Sequence, residues 1–338
     1  MHAGSLWGYV WQRMINKLFK KIKMKITTEE IAQQDILTEV LAGLSEERKR
    51  LPSKLFYDKK GSMLFDRICE LDEYYPTRSE IKIMQDNIEE LGALLGEGTL
   101  LIELGSGSST KIRLLLDYIP GLAGYVPVDI SEQHLIESAE TLNKDYPHIK
   151  IYPLVADYTK MFEIPAIENN HDHKAVYFPG STIGNFTRNE AKEFLGRIAE
   201  IAGPNGALVI GVDLKKDVCI LEAAYNDGKS ITADFNLNIL KHMNNELDTN
   251  FNTDNFEHFA FYNEEFGRIE MHLVSKAEQE IQIGDNEIKF GKGEHIITEY
   301  SYKYTLEEFA ELASDYFGVK KVWVDDNNLF SVQYLRVK

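Results

Sequence analysis

The chain has 338 residues, is 43% hydrophobic and 27% charged, and carries a formal net charge of −17 with a pI of about 5.0. That length builds one large or two moderate domains around a real core, and the composition is neither disordered nor low-complexity. So acidic a chain, with no basic patch in its body, repels polyanions, which excludes nucleic acid as a partner.

Residues 1–24 carry Trp7, Trp11, Ile15 and Leu18 among Lys17, Lys20, Lys21 and Lys23. They read either as a basic amphipathic helix on a membrane surface or as sequence ahead of a natural start at Met24. Thr27-Thr28-Glu29-Glu30 predicts a capped helix start, continued through Ile36, Val40 and Leu44. The stretch 51–78 is too apolar for a linker and too irregular for one amphipathic element, so it should pack against the body or over a ligand.

From residue 79 apolar runs alternate with helical stretches. TLLIEL (99–104) reads as a buried strand, GSGSSTK (105–111) as the turn after it, and Leu114–Leu116 as part of a helix. YVPVDI (125–130), IYPLVAD (151–157), AVYFPGS (175–181) and ALVIGVDL (207–214) read as further strands, with helices from Ser131 and between 186 and 202. Continuous apolar strands alternating with helices predict a parallel sheet covered on both faces. Beyond Asp213 the rhythm changes to a helical stretch around 217–244, then antiparallel runs at 268–275, 280–284 and 295–302. A helix over 305–315 and a hairpin around an Asp-Asp-Asn-Asn turn close the chain. Cys69 and Cys219, the only cysteines, suit a reducing cytoplasm, and no apolar run is long enough to span a membrane.

Gly105 and Gly107 directly after a buried strand let the backbone turn sharply and approach a ligand. Asp129 ends the next strand at the spacing by which a carboxylate takes a ribose diol, and Asp157-Tyr158 ends the third, placed for an adenine. Taken singly, each is equally a turn or a solvated strand end; together they point to a nucleoside. Thr110 stands where a dinucleotide site wants its third glycine, and Glu103 suits a cationic ligand without phosphate, which favours S-adenosylmethionine over a nicotinamide dinucleotide. The fold class expected is α/β, a Rossmann-like class I methyltransferase sheet with a second, inserted α+β substrate-binding domain. The expected division is 25–78 with 216–301 for substrate and 79–215 with 302–338 for cofactor, residues 1–24 lying outside both.

Three stretches, FYDKKGSMLFDRICELDEYYPTRSE (56–80), FPGSTIGNF (178–186) and TEYSYKY (298–304), together resemble the histidine-specific N-alpha-methyltransferases of ergothioneine biosynthesis. ELGSGSSTK, DLKKD (213–217), AAYNDGKSITADFNLNIL (223–240) and FEHFAFY (256–262) extend the resemblance from about residue 30 to the end. It implies that Asn185 and Tyr225 hold the amino acid's backbone groups, that Tyr57 and Tyr74 line the cavity, and that Glu299 and Ser301 grip the imidazole beside Met271. Phe65, Gly180 and Thr232 fall on pocket-lining positions, and Lys111 on a lysine that reaches the cofactor. Residues two apart on a strand share a face, so Glu299 and Ser301 can present an acceptor and a donor–acceptor to the two ring nitrogens.

The resemblance implies transfer of methyl groups from S-adenosylmethionine to the α-amine of free L-histidine, three times in all, giving the betaine hercynine. Tyr57 is the candidate to relay the amine's proton, and no cluster of histidines or cysteines suggests a metal. Three rivals stay open: an N-methyltransferase for another aromatic amino acid such as tryptophan, a non-catalytic S-adenosylmethionine-binding protein, and a nicotinamide oxidoreductase, against which Thr110 counts. The expected state is a cytoplasmic monomer with no membrane contact beyond the N-terminal segment.

Overall fold

The computed structural model describes residues 33–107, 110–119, 121–165, 167 and 171–338. The expectations for residues 1–24 and for the helix start at Thr27 lie outside them.

Helix α1 runs through 33–44, and the aromatic segment after it resolves into a 3-10 turn, Ser53–Phe56, and helix α2, Lys59–Cys69. Asp58 caps α2 by accepting from the Gly61 amide at 2.7 Å. Helix α3, Tyr75–Leu95, starts with Pro76 in its first turn, where a missing N–H costs nothing.

Strands β1 (Thr99–Leu104), β2 (Gly124–Asp129), β3 (Leu154–Val155), β4 (His173–Phe178) and β5 (Ala207–Asp213) pair in parallel. Helices α4 (Thr110–Tyr118), α5 (Glu132–Asp145) and α6 (Arg188–Ala202) link them. Further along, α7 is Val218–Ala223, α8 Ile231–Glu246 and α9 Leu306–Ala313. The antiparallel strands are β6 (Phe256–Asn263), β7 (Arg268–Ser275), β8 (Gln279–Ile283), β9 (Asn286–Phe290) and β10 (His295–Tyr302). The closing hairpin is β11 (Phe317–Val324) and β12 (Phe330–Val337), and it adds antiparallel to β5. The main sheet reads β11-β12-β5-β4-β1-β2-β3, so strand order reverses between β4 and β1, where an open α/β sheet binds its ligand. This is the expected Rossmann-like α/β plan.

Both faces of the sheet are covered. Leu101, Tyr125, Tyr177 and Val209 meet Ile83 and Leu91 of α3 and Leu115 of α4; Ile102, Val126, Val176 and Ile210 meet Phe194 and Ile198 of α6 and Phe309 of α9. A third core, away from that sheet, packs Phe56, Leu64, Ile68, Phe235, Ile239 and Leu273 around the sheet β10-β7-β6.

Three elements differ from expectation. The run 151–157 was expected as a strand, but only Leu154–Val155 pairs as one beyond a single bridge at Ile151, because Pro153 has no N–H to give a ladder. The helical stretch at 217–244 is two helices, broken where Ser230 takes φ 59° and Asp227 accepts the Ile231 and Thr232 amides at the start of α8. After the Gly284-Asp285-Asn286 turn the chain continues as β9, which pairs back on β8. Among the described residues no helix is long and apolar enough to cross a membrane.

Candidate functional site

The C-terminal end of β1 turns through Gly105 and Gly107, at φ 75° and 43°, a left-handed region that residues with a Cβ rarely adopt. A Cβ on Gly105 would sit 3.6 Å from the Tyr158 ring, so the turn and that ring face each other. Asp129, at the end of β2, accepts from the Ser131 amide at 2.9 Å and, loosely, from the Gly107 amide at 3.4 Å. Asp157 accepts from the Thr159 amide at 3.0 Å and its hydroxyl at 2.5 Å, and pairs with Lys54 at 3.3 Å. Burial pushes the Asp157 carboxyl up, but Thr159 and Lys54 outweigh it and hold it below the usual range. Ile130, beside Asp129, is 42% exposed.

Lys111 on α4 pairs with Glu80 of α3, whose carboxylate also accepts the Gly180 amide at 3.0 and 3.1 Å. Glu80 is fully buried and fits because Gly211 of β5 has no side chain: a Cβ there would lie 2.3 Å from its carboxylate oxygen. Glu103 corrects part of the sequence argument. Burial pushes its carboxyl up to about 8 against the Tyr125 hydrogen bond and Lys111, so near neutrality it is mostly protonated and gives little negative charge. The acidic character of the cleft comes from Asp129 and Asp157.

These residues suit a cationic nucleoside without phosphate. The Ser106 hydroxyl is buried in the glycine loop with no hydrogen-bond partner among the described residues, and the two lysines at the cleft, Lys111 and Lys54, each already face a carboxylate, Glu80 and Asp157, so neither is in excess for a doubly charged pyrophosphate. A pyrophosphate would face carboxylates there.

Next to this cleft, one cavity is bordered by Tyr57, Phe65, Tyr74, Gly180, Asn185, Tyr225, Glu299 and Ser301, all expected site residues. They come from separate stretches of chain: the 3-10 turn and α2, the start of α3, the loop after β4, the α7–α8 connection, and β10. The aromatic walls meet edge to face, with ring centroids 5.8 Å apart for Tyr57 and Phe65, 6.2 Å for Phe65 and Tyr74, and 6.5 Å for Tyr74 and Tyr225. Asn185 ends the 3-10 turn Thr182–Asn185, which is pressed on β10: a Cβ on Gly184 would stand 2.7 Å from the Tyr302 carbonyl. A bulge lies between Ile297 and Glu299, held where the Thr298 hydroxyl donates to Asn236 at 2.7 Å; bulges commonly re-aim the next side chain at a site.

Met271 and Thr232 do not border the cavity. Met271 lies opposite Glu299 in the β7–β10 register, inside the third core. Thr232 is buried in the first turn of α8, its amide held by Asp227 at 2.8 Å.

Sequence reasoning missed the polar network around Asp213 and Lys303, which also border the cavity. Lys303 pairs with Asp213 at 2.7 Å and donates to Ser301 Oγ at 2.7 Å and Tyr225 OH at 3.2 Å. Asp213 also binds Lys216 and accepts from the Tyr75 hydroxyl at 2.8 Å, and its amide donates to Ser181 Oγ at 2.9 Å. Burial opposes the charge on both partners, yet Asp213 stays below and Lys303 above their usual ranges because each faces the other. Lys216 is pushed down by burial to about 8 despite Asp213. Burial raises Glu299 to about 7, with Lys303 opposing. The signal for Lys303 was in the sequence: it continues the two-residue spacing of Glu299 and Ser301.

Comparison with known proteins agrees with this geometry. A family model described as histidine-specific methyltransferase, SAM-dependent, matches residues 36–337. The chain is 38% identical over 301 residues to a histidine N-alpha-methyltransferase of Mycolicibacterium smegmatis, covering 87% of this chain and 92% of that one. It is 36% identical over 311 residues to the protein of that name in Mycobacterium tuberculosis, covering 90% and 95%. It also matches ergothioneine biosynthesis protein 1 of Neurospora crassa at 36% identity over 200 residues, 58% of this chain and 23% of that longer protein.

Proposed function

Because the chain belongs to the family of histidine-specific, S-adenosylmethionine-dependent methyltransferases, we propose that the cavity between Asn185, Tyr225 and Glu299 holds free L-histidine with its α-amine toward the Gly105–Gly107 loop. The protein is an enzyme that methylates histidine using S-adenosylmethionine. What supports the placement is one observation: eight residues from separate stretches of chain, expected at the substrate, border a single cavity beside the glycine loop.

Asn185 and Tyr225 hold the carboxylate and amine, while Glu299 and Ser301 take the imidazole, with Met271 packed behind them and Thr232 in the adjoining helix. When bound, S-adenosylmethionine supplies a methyl group on a positively charged sulfur. Asp129 would take its ribose, Asp157 and Tyr158 its adenine, and Lys111 its carboxylate, with Gly105 and Gly107 keeping the loop clear. The chain contributes mainly position, which is worth ~7–11 kcal/mol in favourable cases.

Only a neutral amine has a lone pair to give. Lys303 and Lys216 share the single carboxylate of Asp213, so the ground behind Tyr225 is net positive and disfavours an ammonium. Burial, with Glu299 adding to it, holds the Tyr57 phenol well above its usual range, so Tyr57 relays a proton as a neutral hydroxyl rather than as a phenolate base. The rings of Tyr57, Phe65 and Tyr74 can house the growing cation by cation–π attraction of ~0.5–2 kcal/mol. Three transfers to hercynine on the way to ergothioneine, and a cytoplasmic monomer, complete the proposal. So does a division of labour in which 25–78 and 216–301 hold substrate, and 79–215 with 302–338 hold the cofactor.

Purified protein would be incubated with S-adenosylmethionine and each of the twenty amino acids, and product masses read. Histidine should gain up to three methyl groups, and Glu299→Ala should lose that activity. Methylation of tryptophan in place of histidine would overturn the roles given to Glu299 and Ser301.

A further inference from the structure

The hydrogen bonds at the imidazole end have a fixed polarity. Ser301 Oγ already accepts twice, from the Lys303 ammonium at 2.7 Å and from the Tyr225 hydroxyl at 2.8 Å. A serine hydroxyl has two acceptor lone pairs and one proton, so only the proton is left for a ligand. Lys303 has no freedom to turn away: its three N–H donors go to Asp213, Ser301 and Tyr225, and its side chain is 1% exposed. Two residues before Ser301, Glu299 borders the same cavity and, when ionised, can only accept.

Resting on the histidine reading above, we infer that the enzyme selects histidine with an uncharged ring. The ring N–H is donated to Glu299, the bare nitrogen accepts from Ser301, and Lys303 is the positioning residue that sets this polarity. An imidazolium has N–H on both nitrogens and sets one of them against the Ser301 proton. A protonated Glu299 fails too, since its proton would occupy one ring nitrogen and leave the ring N–H facing Ser301. Indole, with an N–H and no bare nitrogen, strands the serine donor.

The titratable groups around Ser301 are few. Lys303 and Glu299 lie on its own strand; Tyr225 reaches it from the α7–α8 connection, and Tyr74 and Tyr75 stand at the start of α3. Asp213 lies behind Lys303 with Lys216 beyond it, Tyr57 borders the far wall, and the neighbours across β7 are Met271 and Ile269. Titration of these groups bears on every substrate, whereas the charge of the ring belongs to histidine alone.

The test is the ratio of kcat/KM for histidine to that for 1,2,4-triazol-3-ylalanine, measured from about pH 5 to 8 on the full chain with S-adenosylmethionine. The triazole keeps an N–H, carries two bare nitrogens and stays uncharged over this range, so titrations that bear on both substrates enter both terms of the ratio, and the Ser301→Ala variant isolates the part due to the ring's charge. The ratio should be level above about pH 7 and fall about tenfold per unit below the ring's pKa of about 6.5. Ser301→Ala and Lys303→Met should both flatten that fall. If Lys303→Met does not fold, Ser301→Ala, which removes a single oxygen, decides alone. A wild-type ratio level to pH 5, or a Ser301→Ala ratio that still falls as the wild type does, overturns the inference. Failure to methylate histidine at any pH would instead overturn the histidine reading, and this inference with it.

Discussion

Gly184→Ala tests whether the two walls of the cavity depend on a backbone contact. The methyl would be built 2.7 Å from the Tyr302 carbonyl oxygen, 3.1 Å from the Tyr302 nitrogen and 3.5 Å from the Ser301 carbonyl carbon. All three are main-chain atoms, so no side chain can swing aside. Reaching even the tight limit of 3.0 Å from that oxygen means opening the gap by 0.3 Å or more. The turn that ends in Asn185 and the strand that carries Ser301 must then part, and in the proposed pose they support opposite ends of the substrate. Overpacking of this kind costs ~1–3 kcal/mol in stability. A misplacement of 1 Å can cost ~100-fold in rate, so a third to a half of that shift should lower kcat/KM for histidine by roughly 3–10-fold. Gly203→Ala is the control: it has open space within 4 Å but sits at φ 70°, so it strains the backbone far from the cavity. That variant should lose ~1–3 kcal/mol of stability with kcat/KM unchanged. Thermal unfolding and steady-state kinetics on the two variants separate the effects. Gly184→Ala with wild-type kcat/KM would refute the coupling of the turn to β10.

Asp213→Ala should cost about 3–5 kcal/mol in chemical denaturation, because it leaves the buried ammonium groups of Lys303 and Lys216 without a counter-charge; a loss below ~1 kcal/mol would contradict the network. Asp129→Ala should weaken S-adenosylmethionine binding at least tenfold in calorimetry while leaving the unfolding midpoint in place, and unchanged affinity would remove Asp129 from the ribose. Glu270, fully buried on β7, is pushed up by burial but held down at about 2 by hydrogen bonds from His272 and Arg268. Since its folded pKa lies below the unfolded value of about 4.3, its contribution of roughly 3 kcal/mol is present above that value and is lost as pH falls toward 2. Between pH 5 and 2.5 the wild type should therefore lose more stability than Glu270→Gln, and parallel losses would contradict the assignment.

What could be read from the sequence follows from how local each signal is. Strands β1 and β10 fall on TLLIEL and HIITEYSY because buried or alternating apolar runs carry their own periodicity. The run at 151–157 misled because its apolar content outweighed Pro153, and the break before α8 was hidden because Ser230 takes a left-handed conformation without being glycine. At the site, residue types and spacing reached as far as a nucleoside cleft. The substrate residues came through a family resemblance, since no periodicity joins Tyr57, Asn185 and Glu299 across the chain. The Asp213–Lys303 pair is a tertiary contact between β5 and the end of β10: the two-residue spacing puts Lys303 on the face of Glu299 and Ser301, but nothing local names Asp213 as its partner. Glu103 shows the reverse: its position was plain, but its protonation depends on burial beside Tyr125.

The most direct test of the central claim is where the methyl group lands. Histidine would be turned over with S-adenosylmethionine carrying a 13C-methyl group, and the labelled position read by NMR. Label confined to the α-nitrogen, with both ring nitrogens unlabelled, is the predicted result, because the proposed pose gives the ring to Glu299 and Ser301, away from the transferred methyl. Label on a ring nitrogen would contradict it and would require the substrate to lie the other way round.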